Sequence, residues 1–106
     1  MPASAHVTHW SAAEPATEAT IRRLLAAEKR TPYSWSNGPG DVYAAHSHTY
    51  AKVIYVVQGS ITFGLPGENR TILLNPGDRL DLPAGSIHDA VVGPLGVVCL
   101  EAHIGK

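Results

Sequence analysis

A single cysteine, Cys99, is all the thiol chemistry available to this chain of 106 residues. It excludes an internal disulfide and any Cys-x-x-Cys zinc or redox site, and one unpaired thiol fits a reducing compartment. Charge is scarce as well. Only 16% of residues are charged, and eight basic against nine acidic side chains leave a formal charge of −1. Without a basic stripe to hold phosphate backbones, nucleic acid is not an expected partner. No apolar run approaches the roughly 20 residues that span a bilayer, so no membrane partner is expected either. The opening MPASAHVTHWSAAEP lacks a basic stretch followed by an apolar one, so no signal peptide is read. These absences together predict a soluble, cytoplasmic protein.

What is present is enough to fold. Hydrophobic residues make up 44% of the chain, which separates it from disordered sequences, and its length suits one domain with one core. The helix candidate is PATEATIRRLLAAEKR, residues 15 to 30. Pro15 suits a first turn, Glu18 and the terminal Lys29 and Arg30 complement the helix dipole, and Thr31-Pro32 ends the helix. Ile21, Leu24, Leu25 and Glu28 share a face, giving a narrow apolar stripe that can dock on something larger.

Downstream the pattern changes to short strands divided by turn chemistry. Asn37-Gly38-Pro39-Gly40 reads as a loop. KVIYVV, residues 52 to 57, is apolar throughout after its lysine, as in a strand covered on both faces. Gln58-Gly59-Ser60 reads as a tight turn into ITFGL. TILL, RLDL, SIHDAVV and VVCLEAHI follow, separated by Pro/Gly/Asn turns that include Gly93-Pro94-Leu95-Gly96. Seven or eight strands at spacings of roughly 8–12 residues indicate an all-β sandwich or barrel. Residues 1–32 form an arm and helix packed on a barrel of residues 33–106.

The histidines carry the chemistry. On a strand, His46 and His48 point the same way, roughly 7 Å apart at Cα, a workable separation for two imidazoles on one metal. His88 lies far downstream, behind the loop of PAGSIH. Three imidazoles from two strands leave open coordination positions, the arrangement of a catalytic metal site. With nitrogen ligands only, Zn, Ni, Cu or Fe is expected in preference to Mg or Ca.

Two long gapped motifs then resemble those of the cupins. The first runs Gly40, DVYAA, His46-Ser47-His48, TYA, Lys52, VIYVVQ, Gly59; the second runs Gly77, DRLDL, Pro83-Ala84-Gly85, SI, His88, DAV, Val92. Every spacing fits, and the resemblance covers about residues 33 to 104. It implies a single antiparallel jelly-roll β-barrel, with one N-terminal α-helix outside the resemblance. It also implies a metal inside, held by His46, His48 and His88, and a small-molecule site at the barrel mouth.

Two positions depart from the family pattern. Val92 stands where the family has Asn, a loss confined to local hydrogen bonding. Lys52 stands where the family has a metal-binding Glu. A divalent ion and an ammonium about 6 Å apart repel by roughly 5 kcal/mol at an effective dielectric of about 20. Either Lys52 turns away or forms an ion pair, or it becomes neutral and acts as base or ligand, or the metal is weak or absent.

Other side chains are weighed beside these. Lys52 and Tyr50 are the candidate catalytic residues. Cys99, Glu101 and His103 share strand parity, and Glu101 is a candidate replacement carboxylate, but the opposite face (Val98, Leu100, Ala102, Ile104) is more apolar and is expected inside. Tyr55 lines the mouth or packs, Trp35 is expected to pack or to lie in a dimer interface, and His6 and His9 belong to a surface arm or edge strand. The sequence thus predicts a metal-binding barrel acting on a small oxygen-rich molecule, with oxygenase, isomerase and lyase chemistry all open. The alternatives are a non-catalytic binding or sensing module, and a structural dimer paired through KVIYVV. A homodimer is expected because that apolar strand leaves few polar residues for a solvated face and a small barrel has edges to protect.

Overall fold

In a computed structural model, which describes residues 4–104, seven strands and one helix build an antiparallel jelly roll. The strands are β1 (His6–Thr8), β2 (Tyr33–Asn37), β3 (Val42–His46), β4 (Ala51–Leu65), β5 (Arg70–Leu74), β6 (Arg79–Leu82) and β7 (His88–Ile104). The helix α1 spans Glu18–Ala27, and a 3₁₀ turn spans Pro66–Glu68. No helix among the described residues is long and apolar enough to cross a membrane.

Two predicted turns are bends within strands. Gln58-Gly59-Ser60 lies inside β4 and Gly93-Pro94-Leu95-Gly96 inside β7, so four expected strands become two of 15 and 17 residues. The β4–β7 register shifts on either side of Gln58 and Gly59, the signature of bulges that bend a ladder without ending it. Gly59 has φ 75°, and a Cβ there would stand 1.9 Å from the Gly96 carbonyl oxygen. Only glycine serves where two backbones cross this closely in a left-handed conformation.

The bends divide the barrel into two halves that share β4 and β7. One half runs β1-β6-β4-β7-β2, and the other is β5-β4-β7-β3. Ile54, Val56, Ile61, Phe63, Leu74, Leu80, Val92 and Cys99 fill the space between them. The KVIYVV segment is covered on both faces, as predicted: Lys52 through Val56 are all buried. Its edges are both used, by β6 on one side and β7 on the other. A dimer paired through this strand is therefore excluded by the topology.

The outer face of that segment seats α1. Ile21 and Leu25 are fully buried against Val53, Tyr55, Leu100 and Ala102. The helix is shorter than predicted at both ends, for local reasons. Thr17 caps the start, its Oγ1 accepting from the Thr20 N–H at 3.2 Å, so Pro15 lies ahead of the cap and outside the first turn. At the other end the Lys29 N–H donates to Ala26 and the Arg30 N–H to Leu25. Lys29 takes φ 62°, so a Schellman stop places Lys29 and Arg30 beyond the last turn, well before Pro32. Glu28 reaches instead to β6, accepting from Arg79 at 2.7 and 3.1 Å. Among the described residues nothing covers the outer face of the second half in this way: Val42, Val91 and Leu73 are exposed there in one cross-strand row with Thr62.

Candidate metal centre

The bulge between Tyr43 and His46 brings His46 opposite His88 in the β3–β7 register. His48 lies past the end of β3, in the loop before β4, so alternation along one strand does not place it. What holds that loop is a hydrogen bond from the Gly85 N–H to the His48 carbonyl, 2.7 Å, which ties the first motif to the Pro-x-Gly turn of the second. The result unites the three histidines predicted from spacing. Their rings stand 4.3–5.3 Å apart by centroid, and one nitrogen from each lies within 4.8 Å of the others.

Tautomers follow from the neighbours. His46 Nδ1 lies 2.7 Å from the Ala44 carbonyl, and His88 Nδ1 lies 3.0 Å from that of Ser86. A carbonyl only accepts, so each Nδ1 donates, and in the neutral ring the lone pair is then left on Nε2. His48 Nε2 is buried with no hydrogen-bond partner among the described residues. Burial, followed by the Lys52 and His46 charges, pushes the His48 pKa down; burial also lowers that of His88. Neutral imidazoles with outward-bonded Nδ1 groups are the donor set that a divalent transition ion takes. The residues fit such a metal.

The histidines line a cavity of about 220 Å³ between the two halves of the barrel. Tyr50, a candidate from the sequence, lines it too, its ring stacked on His48 at 5.0 Å and tilted against His103 at 3.9 Å. Lys52 is buried and faces the cavity; of the outcomes open to it, the structure takes the ion pair, with Nζ 3.3 Å from Glu101 Oε2.

Glu101 overturns the expected orientation of the last strand. Glu101 and Cys99 point into the barrel, and Leu100 and Ala102 lie under the helix. The more apolar face belongs to the docking site of α1, because the helix seat is drier than the cavity. Cys99 is fully buried, which pushes its thiol up to about 12 and keeps it a core residue. The Glu101 carboxylate accepts from Tyr33 Oη at 2.5 Å and from Trp35 Nε1 at 3.1 Å. Burial and this carboxylate push the Tyr33 pKa well up. Trp35 packs against the barrel core and edge-on to Tyr43, as expected of it, and in doing so also forms a wall of the cavity.

The remaining residues fall elsewhere. Tyr55 packs beneath the helix, with its ring under Arg79. His103 is exposed beside Tyr33. His6 sits on the edge strand β1 and His9 just beyond it, as predicted, and His9 Nδ1 contacts Asp78 Oδ1 at 2.9 Å. At the family's Asn position Val92 hydrogen-bonds through its backbone, donating to Asp41 and accepting from Gly40, while its side chain packs in the core. Strand parity weighed by apolarity misplaces Glu101, but one signal was available. A lone acid in VVCLEAHI and a lone base in KVIYVV are complementary charges in two otherwise apolar strands, and the register sets Ile54 opposite Glu101 and Lys52 opposite His103.

Comparison with known proteins agrees with this architecture. Over 74 residues, 64% of its length, the chain is 36% identical to quercetin 2,3-dioxygenase of Bacillus subtilis (strain 168), and it spans 21% of that protein. KdgF from Halomonas sp. superposes with a TM-score of 0.60 at 26% identity, over 73% of this chain and 70% of that one. A cupin superfamily protein from Desulfitobacterium hafniense DCB-2 covers 97% of this chain, and 79% of its own, with a TM-score of 0.63 at 14% identity. Residues 33–97 match the AraC-like ligand binding domain family. With its jelly roll, its two gapped motifs and this match, the chain belongs to the AraC-like ligand binding domains of the cupin superfamily.

Proposed function

We propose that this barrel binds one divalent transition metal on His46, His48 and His88 and acts on a small oxygen-rich molecule held in the adjoining cavity. The observation that carries the reading is the set of free imidazole nitrogens. Two Nδ1 groups are committed to backbone carbonyls, and the buried His48 Nε2 is unpartnered among the described residues. When bound, the ion supplies Lewis acidity or oxygen activation. The protein supplies the rest. Three imidazole donors leave open positions, aromatic side chains wall the cavity, and Lys52 presents a cation beside the ligand. Enzymes with related barrels, a quercetin 2,3-dioxygenase among them, favour chemistry over mere retention.

Elemental analysis after reconstitution with Zn, Ni, Cu or Fe tests the site. The expected result is one ion per chain for the native protein and near-complete loss for His88→Ala. An absence of bound transition metal, or full occupancy in the variant, overturns it.

A second reading is a non-catalytic ligand-binding or sensing module, favoured by the description of the matched family and by the lysine at the family's glutamate position. His46→Ala separates the two readings. Loss of turnover at retained ligand affinity supports an enzyme, whereas loss of ligand affinity with no turnover in either form supports a sensor. Self-association remains part of the proposal, with a second copy covering the exposed Val42, Val91 and Leu73 row. Light scattering at the single-chain mass of 11.2 kDa across micromolar concentrations overturns that element.

A further inference from the structure

The Lys52–Glu101 pair has no counterpart in the motif that this chain otherwise follows. Its two members are held very differently. Glu101 is fixed to the cavity wall by the Tyr33 hydroxyl and the Trp35 indole. Lys52 has one polar partner among the described residues, Glu101 at 3.3 Å, although an ammonium carries three N–H donors. Those donors sit in a cavity whose other walls include Tyr43, Ile54, Ile61 and Phe63. A buried cation with one side-chain partner, facing a cavity, can take a ligand acceptor on its remaining donors.

The charge balance gives the acceptor its sign. A glutamate at position 52 would contribute one negative charge beside the metal. Here Lys52 and Glu101 sum to zero, so a cavity holding a divalent ion is one unit more positive than the family pattern makes it. We propose that the cavity selects a carboxylate ligand, its anionic group seated on the Lys52 ammonium and its apolar part against Tyr43 and Phe63. Lys52 is then a specificity residue, and Glu101 is its resident counter-ion, with which an incoming carboxylate shares the ammonium. The anionic character of the substrate rests on the metal reading above; the receptor role of Lys52 stands without it.

Two matched pairs of probes test this: benzoate against benzamide, and acetate against acetamide. Binding is followed by calorimetry and by the Trp35 indole N–H resonance, on zinc-loaded and metal-free protein. A charge-assisted hydrogen bond makes the native protein prefer each carboxylate by about tenfold or more. In the metal-free protein, Lys52→Met brings that preference to within twofold. Glu101→Gln removes the competing anion and raises the preference about threefold or more, whereas a purely structural pair would lose binding in both variants. Should Lys52→Met fail to fold, the direction of change in Glu101→Gln decides between the same two roles. Equal affinity for acids and amides in the native protein overturns the inference, and so does a preference that survives Lys52→Met in the metal-free arm, where no zinc can ligate the carboxylate. The metal-free arm keeps this outcome separate from a failure to load zinc.

Discussion

Lys52→Glu restores the carboxylate that the family motif carries, and in this structure it does so directly beside a second one. The native pair is 3.3 Å apart with side chains 10% and 5% exposed. At an effective dielectric of about 20 its attraction is roughly 5 kcal/mol before desolvation. The substitution reverses the sign. Two buried carboxylates then face each other, and the metal-free protein relieves the repulsion by taking up one proton. Holding a carboxyl protonated at pH 7 costs about 4 kcal/mol, and this caps the loss. A loss of that size lowers Tm by about 15–30 °C in a domain of this length. It should shrink as the pH is lowered, because the folded form of the variant binds the extra proton and the unfolded chain does not. Mn²⁺ acts in the opposite direction. Repulsion from the ammonium becomes attraction to an oxygen ligand, and after desolvation a gain of a few kcal/mol is expected, about 100-fold in Kd. Thermal unfolding with and without Mn²⁺, together with direct titration, measures both effects. Unchanged stability of the metal-free variant would refute the ion pair. Equal Mn²⁺ affinities would show that position 52 does not face the metal.

Three further outcomes follow from the scaffold. Glu28 has its pKa lowered first by the hydrogen bond from Arg79, so it stabilises the fold above its ordinary pKa and ceases to as the pH falls through the lowered value. Being partly exposed, the pair contributes on the order of 0.5–1 kcal/mol, and Glu28→Gln should flatten the acid limb of a urea-midpoint profile by that amount. Lys29→Gly relieves a left-handed lysine at φ 62° and should stabilise by about 1 kcal/mol, read as a higher urea midpoint at unchanged slope. Gly59→Ala drives a methyl group to 1.9 Å from the Gly96 carbonyl and should cost about 3 kcal/mol or more, measured by chemical denaturation.

The barrel and its three histidines were legible because turn glycines and ligand spacings are local signals. His46, His48 and His88 sit at offsets that survive any detail of strand pairing. The interior of the last strand was not legible in the same way. Apolarity alone assigns Leu100 and Ala102 to the inside, yet two layers compete for apolar residues here. The helix seat takes the drier set, and the cavity keeps Glu101 because Lys52, Tyr33 and Trp35 satisfy it. Gly59 and Gly96 misled for a related reason. Each supplies a positive φ, which serves a bend within a strand as well as a turn between strands, and only the partner register distinguishes the two. Likewise, Thr31-Pro32 offered a plausible helix end, but the stop was made earlier by the left-handed Lys29.

The two long strands also govern the order of events in folding. Ala51 pairs with Ile104 in one half and Val42 with Val91 in the other, so both halves of the barrel await contacts between distant parts of the chain. Such topologies fold slowly, on the millisecond-to-second scale, because loop closure precedes the reward of pairing. His46 and His88 meet only through one of these late registers, and the donor set does not exist until the barrel has closed. A metal ion that enters it can lengthen the lifetime of the native state but cannot serve as a nucleus for reaching it.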